Sequence, residues 1–166
     1  MIVVDNFLPD NDWVHFNNKD NWKFRHKNTW VDINHDPEYF YEGLSRMIWN
    51  FFDPGHSKWC AGYEYWTNIL SKSVQMGWHQ DKDEALYKLN GDIVVPIMGS
   101  VLYAEHDNLE GGYLELEGKE IERIAPIPNR LVIFNAAEFH RVSDITQGTR
   151  RVFACNLWNR KLIDAS

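Results

Sequence analysis

The sequence predicts a mainly β architecture with flanking helices, an α+β chain whose core is an antiparallel sandwich or barrel such as a jelly roll. Three observations carry this. From Trp59 onward, short runs rich in β-branched and aromatic residues follow one another closely. Turn residues such as Gly111-Gly112, Glu117-Gly118-Lys119 and Pro126-Ile127-Pro128-Asn129 separate them. No helical pattern intervenes between these runs, which argues against a parallel, doubly wound sheet.

Taken in order, Ile2 to Val4 reads as a short strand, and Phe7-Leu8-Pro9-Asp10 turns into a short helix through Trp13, Val14 and Phe16. A longer helix is expected from Asp36 as N-cap with Pro37 at its first position. Phe40, Leu44, Met47, Ile48 and Phe51 repeat at helical spacing, and Asp53-Pro54-Gly55 ends the run. The strands that follow are Tyr63 to Leu70, Ile93 to Tyr103, Tyr113 to Leu116, Ile121 to Ile124, Leu131 to Phe134 and Arg151 to Leu157. No linker or repeat interrupts them, so residues 1–166 read as one domain, with helical support over about 9–53 and a β core over about 59–160.

Composition narrows the function classes. The 166 residues carry 24 acids against 17 bases, a formal charge of −7, and 14% aromatic side chains. That aromatic content supplies enough apolar area to fold, and a net acidic chain without a basic stripe disfavours nucleic acid as a partner. Cys60 and Cys155 read as two buried thiols in a reducing compartment. The absence of a signal-like start or a long apolar run points to a cytoplasmic chain with no membrane partner.

Three segments carry chemistry. In Gly77-Trp78-His79-Gln80-Asp81, residues two apart on an extended chain share a face, so His79 and Asp81 can offer a nitrogen and an oxygen to one ion. His140, after the strand Leu131 to Phe134, can supply the third ligand. Two His and one carboxylate form a facial triad with open positions, a set suited to non-haem Fe(II). Arg150 follows ten positions later in Gln147-Gly148-Thr149-Arg150-Arg151, past a turn at Gly148, and its planar fork suits a distal carboxylate. Alternation places Arg150, Val152, Ala154, Asn156 and Trp158 on one face and Arg151, Phe153, Cys155 and Leu157 on the other. Arg151 is the competing choice of cation.

With these residues in hand, the chain resembles the 2-oxoglutarate- and Fe(II)-dependent dioxygenases, in particular the prolyl 4-hydroxylase-like branch. Val4-Asp5-Asn6-Phe7-Leu8 is similar to that branch's opening strand. Leu102-Tyr103 with Leu109 to Leu114, and Leu131 to Phe134, are similar to its central strands. The run Asn135 to Phe139 before the distal His departs from the usual pattern. The resemblance implies a double-stranded β-helix, a cupin-like jelly roll, with N-terminal helices packed on one sheet. It implies that His79, Asp81 and His140 bind Fe(II), that Arg150 and Tyr103 bind 2-oxoglutarate, and that O2 is the oxidant, with ascorbate as an accessory reductant. The expected reaction hydroxylates an unactivated C–H bond, with succinate and CO2 as co-products; Asp81 leaves no halide site, which favours hydroxylation over halogenation.

The substrate expected is a peptidyl residue, proline among the candidates, or a free amino acid or other small metabolite. Trp78 and Trp158 are the preferred substrate-groove residues, ahead of Trp66. His15, His26, His35, His56 and His106 read as structural or surface residues, Glu105-His106-Asp107 as a solvated loop, and the acidic segment 81–84 as a wet loop or a lid. Two other readings stand beside the oxygenase: a non-catalytic metal-binding jelly-roll module, and a nucleic-acid demethylase of the same chemistry, which the charge balance disfavours. Oligomeric state is not legible.

Overall fold

The computed structural model describes all residues except Phe24, 55–57, Ser73, Gln75 and 165–166. Gly55 and His56, assigned above as a helix stop and a surface histidine, lie outside the described residues.

Eleven described strands form two antiparallel sheets. They are β1 (Ile2–Val4), β2 (Thr29–Asp32), β3 (Gly62–Ser71), β4 (Met76–His79), β5 (Met98–Tyr103), β6 (Asp107–Gly111), β7 (Leu114–Leu116), β8 (Glu122–Ile124), β9 (Leu131–Phe134), β10 (His140–Val142) and β11 (Ile145–Trp158). The major sheet runs β1-β9-β5-β11-β3-β2, with β6 also pairing β11, and the minor sheet runs β4-β10-β7-β8. Two facing antiparallel sheets with this crossing order are the jelly roll expected.

The predicted alternation of β11 decides what each face of the major sheet does. Phe153, Cys155 and Leu157 join Tyr63, Tyr65, Leu102, Leu131 and Ile133 on one side. There they pack against α1 (Asp10–Phe16) and α2 (Phe40–Phe52) through Phe16, Tyr41, Leu44, Ile48 and Trp49. Val152 and Ala154 join Val101, Tyr103, Val132 and Phe134 on the other side, and meet Leu114, Leu116 and Ile124 of the minor sheet. The helices thus seal one face, and the opposite face is left for a site between the sheets. Both cysteines are buried and free, and burial pushes their thiols up to about 11 for Cys60 and about 12 for Cys155.

Several boundaries differ from expectation. Helix α2 starts at Phe40, not Pro37, because the Glu42 carboxylate folds back to accept the N–H groups of Glu38 and Tyr39, leaving Asp36 beside Arg46. Its buried face is Tyr41, Leu44, Ser45, Ile48 and Trp49, and Phe51 is exposed. The strand expected from Ile93 begins only at Met98; Pro96 has no N–H to donate to a ladder. Strand β11 begins at Ile145, before Gly148, which sits at a register shift in the ladder instead of in a turn. Its early half pairs with β6, so Asp107 belongs to a strand and not to a loop. Strands β2, β4, β6 and β10 and the helix α3 (Glu84–Asn90) were not anticipated. No helix among the described residues is long and apolar enough to cross a membrane.

Candidate metal centre

Strands β4 and β10 pair antiparallel, and their register sets His79 directly opposite His140. The two rings face each other with centroids 4.3 Å apart. Asp81 lies two residues past His79 on the same face, and its Oδ1 is 3.8 Å from Nε2 of each histidine. That is too far for a hydrogen bond and leaves a gap that three ligand atoms surround, all within 4.8 Å of one another. Among the described residues this is the one group of three His, Cys or acidic side chains so disposed.

The local backbone presets the ligand atoms. Nδ1 of His79 lies 2.8 Å from the Gly77 carbonyl, and Nδ1 of His140 lies 2.9 Å from that of Glu138. A carbonyl only accepts, so each Nδ1 carries the proton and each Nε2 presents its lone pair to the gap. His140 is 5% exposed, and burial holds it below its ordinary value against the opposing pull of Asp81, which favours the neutral, ligating imidazole. The unusual run before His140 has a physical role. Ala136 accepts the Asp81 N–H at 3.2 Å, Ala137 accepts the Gln80 amide at 2.8 Å, and Glu138 orients His140. These carbonyls bind the two ligand-bearing segments together.

The far wall belongs to the major sheet. Arg150 is 2% exposed, and its guanidinium stands 5.0 Å above the Tyr103 ring with Nη2 3.5 Å from the phenol oxygen. Its Nε has no partner, and it makes no ion pair among the described residues. An unpaired buried cation is costly, and an anionic ligand in the same cavity would remove that cost. Gly112, at φ +71°, leaves the space: a Cβ there would lie 3.2 Å from Arg150 Cδ. Arg150, Asn68, Val101, Phe134 and Val152 line one narrow cavity together with His79, Asp81 and His140. Arg151 points to the other side, where it pairs with Asp107 at 3.0 Å.

One residue at the centre had no role in the sequence reading beyond its face. Asn156, 2% exposed, donates Nδ2 to Asp81 Oδ2 at 3.0 Å, leaving Oδ1 toward the gap. Alternation from Arg150 already put it on the inner face, but its partner lies 75 residues away.

The tryptophans fall differently from expectation. Trp78 alternates with His79 and so faces outward, stacked 4.7 Å from the Arg141 guanidinium in a row that continues through Glu115 and Arg123. Trp158 is fully enclosed and lines neither cavity beside the triad. Trp66 lines both cavities. The other described histidines stay apart from the gap: His15 packs on Phe40, His26 on Tyr41, His35 lies 3.4 Å from Glu42, and His106 bonds the Pro126 carbonyl.

Comparison with known proteins supplies the family and supports the fold. Residues 65–160 match the family described as the 2OG-Fe(II) oxygenase superfamily. A Pseudomonas putida prolyl-4-hydroxylase has the same fold, with a TM-score of 0.64 and 14% identity, covering 96% of this chain and 92% of that one. The viral collagen prolyl hydroxylase of Paramecium Bursaria Chlorella virus-1, in its 2OG complex, gives 0.60 and 12%, covering 96% of each chain. HygX from Streptomyces hygroscopicus, solved with nickel and 2-oxoglutarate bound, gives 0.64 and 10%, covering 95% and 81%. No curated protein matches by sequence. A jelly roll with a two-His, one-Asp triad defines the class, a non-haem iron oxygenase. The chain belongs to the 2OG-Fe(II) oxygenase superfamily, as a 2-oxoglutarate-dependent dioxygenase.

Proposed function

We propose that this chain hydroxylates an unactivated C–H bond of a peptidyl residue or of a free amino acid or small metabolite, converting 2-oxoglutarate and O2 to succinate and CO2. The observation that carries the reading is the buried, unpaired Arg150 guanidinium facing the same cavity as the triad. His79, Asp81 and His140 would hold Fe(II), and Arg150 with the Tyr103 hydroxyl would receive the far carboxylate of 2-oxoglutarate. Bound Fe(II) and 2-oxoglutarate supply the oxidising chemistry, with ascorbate as a reductant that keeps the iron ferrous. The protein's own task is positioning and exclusion of water. Val101, Phe134, Val152 and Ala154 wall the cavity with apolar surface, and the carbonyls of Gly77 and Glu138 hold the imidazoles in their ligating tautomer.

The test is succinate release from 2-oxoglutarate by protein reconstituted anaerobically with Fe(II) and then exposed to air. Succinate above an Asp81→Ala control is expected; none would leave the non-catalytic metal-binding module. Arg150→Ala should raise the 2-oxoglutarate requirement at least about tenfold, since a charge-assisted contact contributes about 1.5–3 kcal/mol. Arg151→Ala should change it little.

A further inference from the structure

Beside the triad lies a larger cavity of about 480 Å3, to which His79, Asp81 and Asn156 present one side. Strand register builds the opposite side. Trp30 of β2 pairs with Glu64 of β3, and Glu64 pairs with Asn156 of β11. Directly opposed residues share a face, so these three side chains form one row across the inner surface of the major sheet. Trp66 stands next along β3 and also lines the cavity. The row leads from Asn156, which holds a metal ligand, to a carboxylate with indoles on its strand and on the next.

The charges around this space do not cancel. Asp83 is paired with Arg160 at 2.8 Å, and Glu84 with Lys82 at 2.7 Å, so the one Lys or Arg among the described residues lining the cavity, Lys82, is engaged. Glu64 accepts the Asn28 amide at 2.7 Å, lies beside the Trp158 indole, and meets no Lys or Arg among the described residues. Asp164 lines the same cavity and also makes no ion pair among them. Burial pushes the Glu64 carboxyl above its ordinary range; Asp81 and Asp83 add to the rise, while Asn28 and Trp158 oppose it. A carboxylate in that position gains more from a cation than an exposed one would.

We infer that this cavity receives a cationic group of the substrate, a guanidinium or a primary ammonium, with Glu64 as its counter-ion and the indoles of Trp30 and Trp66 beside it. A carboxylate beside indole faces is a pairing that selects organic cations. An acidic substrate would meet Glu64 and Asp164 with Lys82 already occupied, and an uncharged prolyl ring would leave Glu64 without a counter-charge. The inference rests on the oxygenase reading, since it places the reacting carbon at the triad and the cationic end at Glu64. The same cation can come from a free amino acid or from an arginine or lysine side chain of a peptide.

The test is calorimetric titration of the full chain, loaded with Mn(II) and 2-oxoglutarate in the absence of oxygen. The ligands are L-arginine against citrulline, L-lysine against norleucine, and the N-acetyl amides of arginine and lysine for the peptide source. At least one cation should bind tenfold or more tightly than its neutral isostere. Glu64→Gln, with its melting temperature checked, should bring that ratio close to one, and Glu64→Asp should keep part of it. Tighter binding of the free amino acid or of the blocked form identifies the source. Equal affinities of cation and isostere, no binding by any cationic compound, or a preference that survives Glu64→Gln overturns the inference. Succinate release is read separately: cation preference without succinate defeats the oxygenase reading alone, and succinate without cation preference defeats this inference alone.

Discussion

Asn156 holds the Asp81 oxygen that faces away from the gap between His79 and His140, and so restricts the rotation of that carboxylate. Its own amide has room only because residue 99 is glycine. A Cβ there would lie 2.8 Å from the Ala136 Cβ and 3.0 Å from Asn156 Oδ1. Loss of a hydrogen bond to a ligand in this way weakens metal binding by about 10–100-fold. Asn156→Ala should therefore reduce Co(II) affinity at least about tenfold in competition with a chelator, and Gly99→Ala should act in the same direction. Unchanged affinity in both would remove Asn156 as a positioning residue. That His79, Asp81 and His140 come together with Arg150 at one cavity was legible in the sequence, because period-two alternation and the order of the motifs do not depend on distant partners. Asn156 was legible only as a member of a face, because its role arises from a strand meeting a loop 75 residues away. Trp78 and Trp158 misled for a related reason. Adjacency to a ligand puts Trp78 on the opposite face of its strand, and an inward position at the end of β11 encloses Trp158 completely.

Short elements were the least legible. Helix α3 has seven residues, too few to display a hydrophobic period, and its acidic start resembled a wet loop. What makes it a helix is capping. Asp83 accepts the Leu86 N–H at 3.0 Å through Oδ1, and Arg160 at 2.8 Å through Oδ2. Burial would raise this carboxyl, but the Leu86, Arg160 and Ile163 contacts outweigh it and hold Asp83 below its ordinary range. One side chain thus starts the helix and ties it to the segment after β11. Asp83→Ala removes a cap worth about 1 kcal/mol and leaves Arg160 without its carboxylate, a total of about 1–2 kcal/mol. For a chain of this size the melting temperature should fall by about 2–8 °C. Asp83→Asn, which keeps the cap but not the charge, should fall less, and equal losses would show that the ion pair dominates. Helix α2 shows the limit from the other side: its existence was plain from periodicity, but its start was set by Glu42 folding back, a choice that Asp36-Pro37 in the sequence also offered.

At the scale of the molecule, the candidate site is divided between the two sheets. His79 and His140 stand on β4 and β10 of the minor sheet, whereas Arg150, Tyr103 and Asn156 stand on β11 and β5 of the major sheet. Asp81, just past β4, joins them by its bond to Asn156. Helices α1 and α2 cover the far face of the major sheet, so they do not reinforce this junction. Ligands bound between the sheets would therefore act as staples, each stabilising the fold according to its own affinity. A divalent metal at 100 times its dissociation constant adds about 2.7 kcal/mol, or a rise of about 5–11 °C in melting temperature. In the metal-loaded protein, 2-oxoglutarate should add a further increment. Arg150→Ala should abolish most of that second increment while leaving the first, because Arg150 reaches the cavity from the wall opposite the triad. Asp81→Ala should diminish both, since it removes a proposed metal ligand and one hydrogen bond that links the two sheets. An increment from 2-oxoglutarate that is equally large without metal, or that survives Arg150→Ala, would mean that the diacid binds elsewhere and that the sheets are not joined through this site.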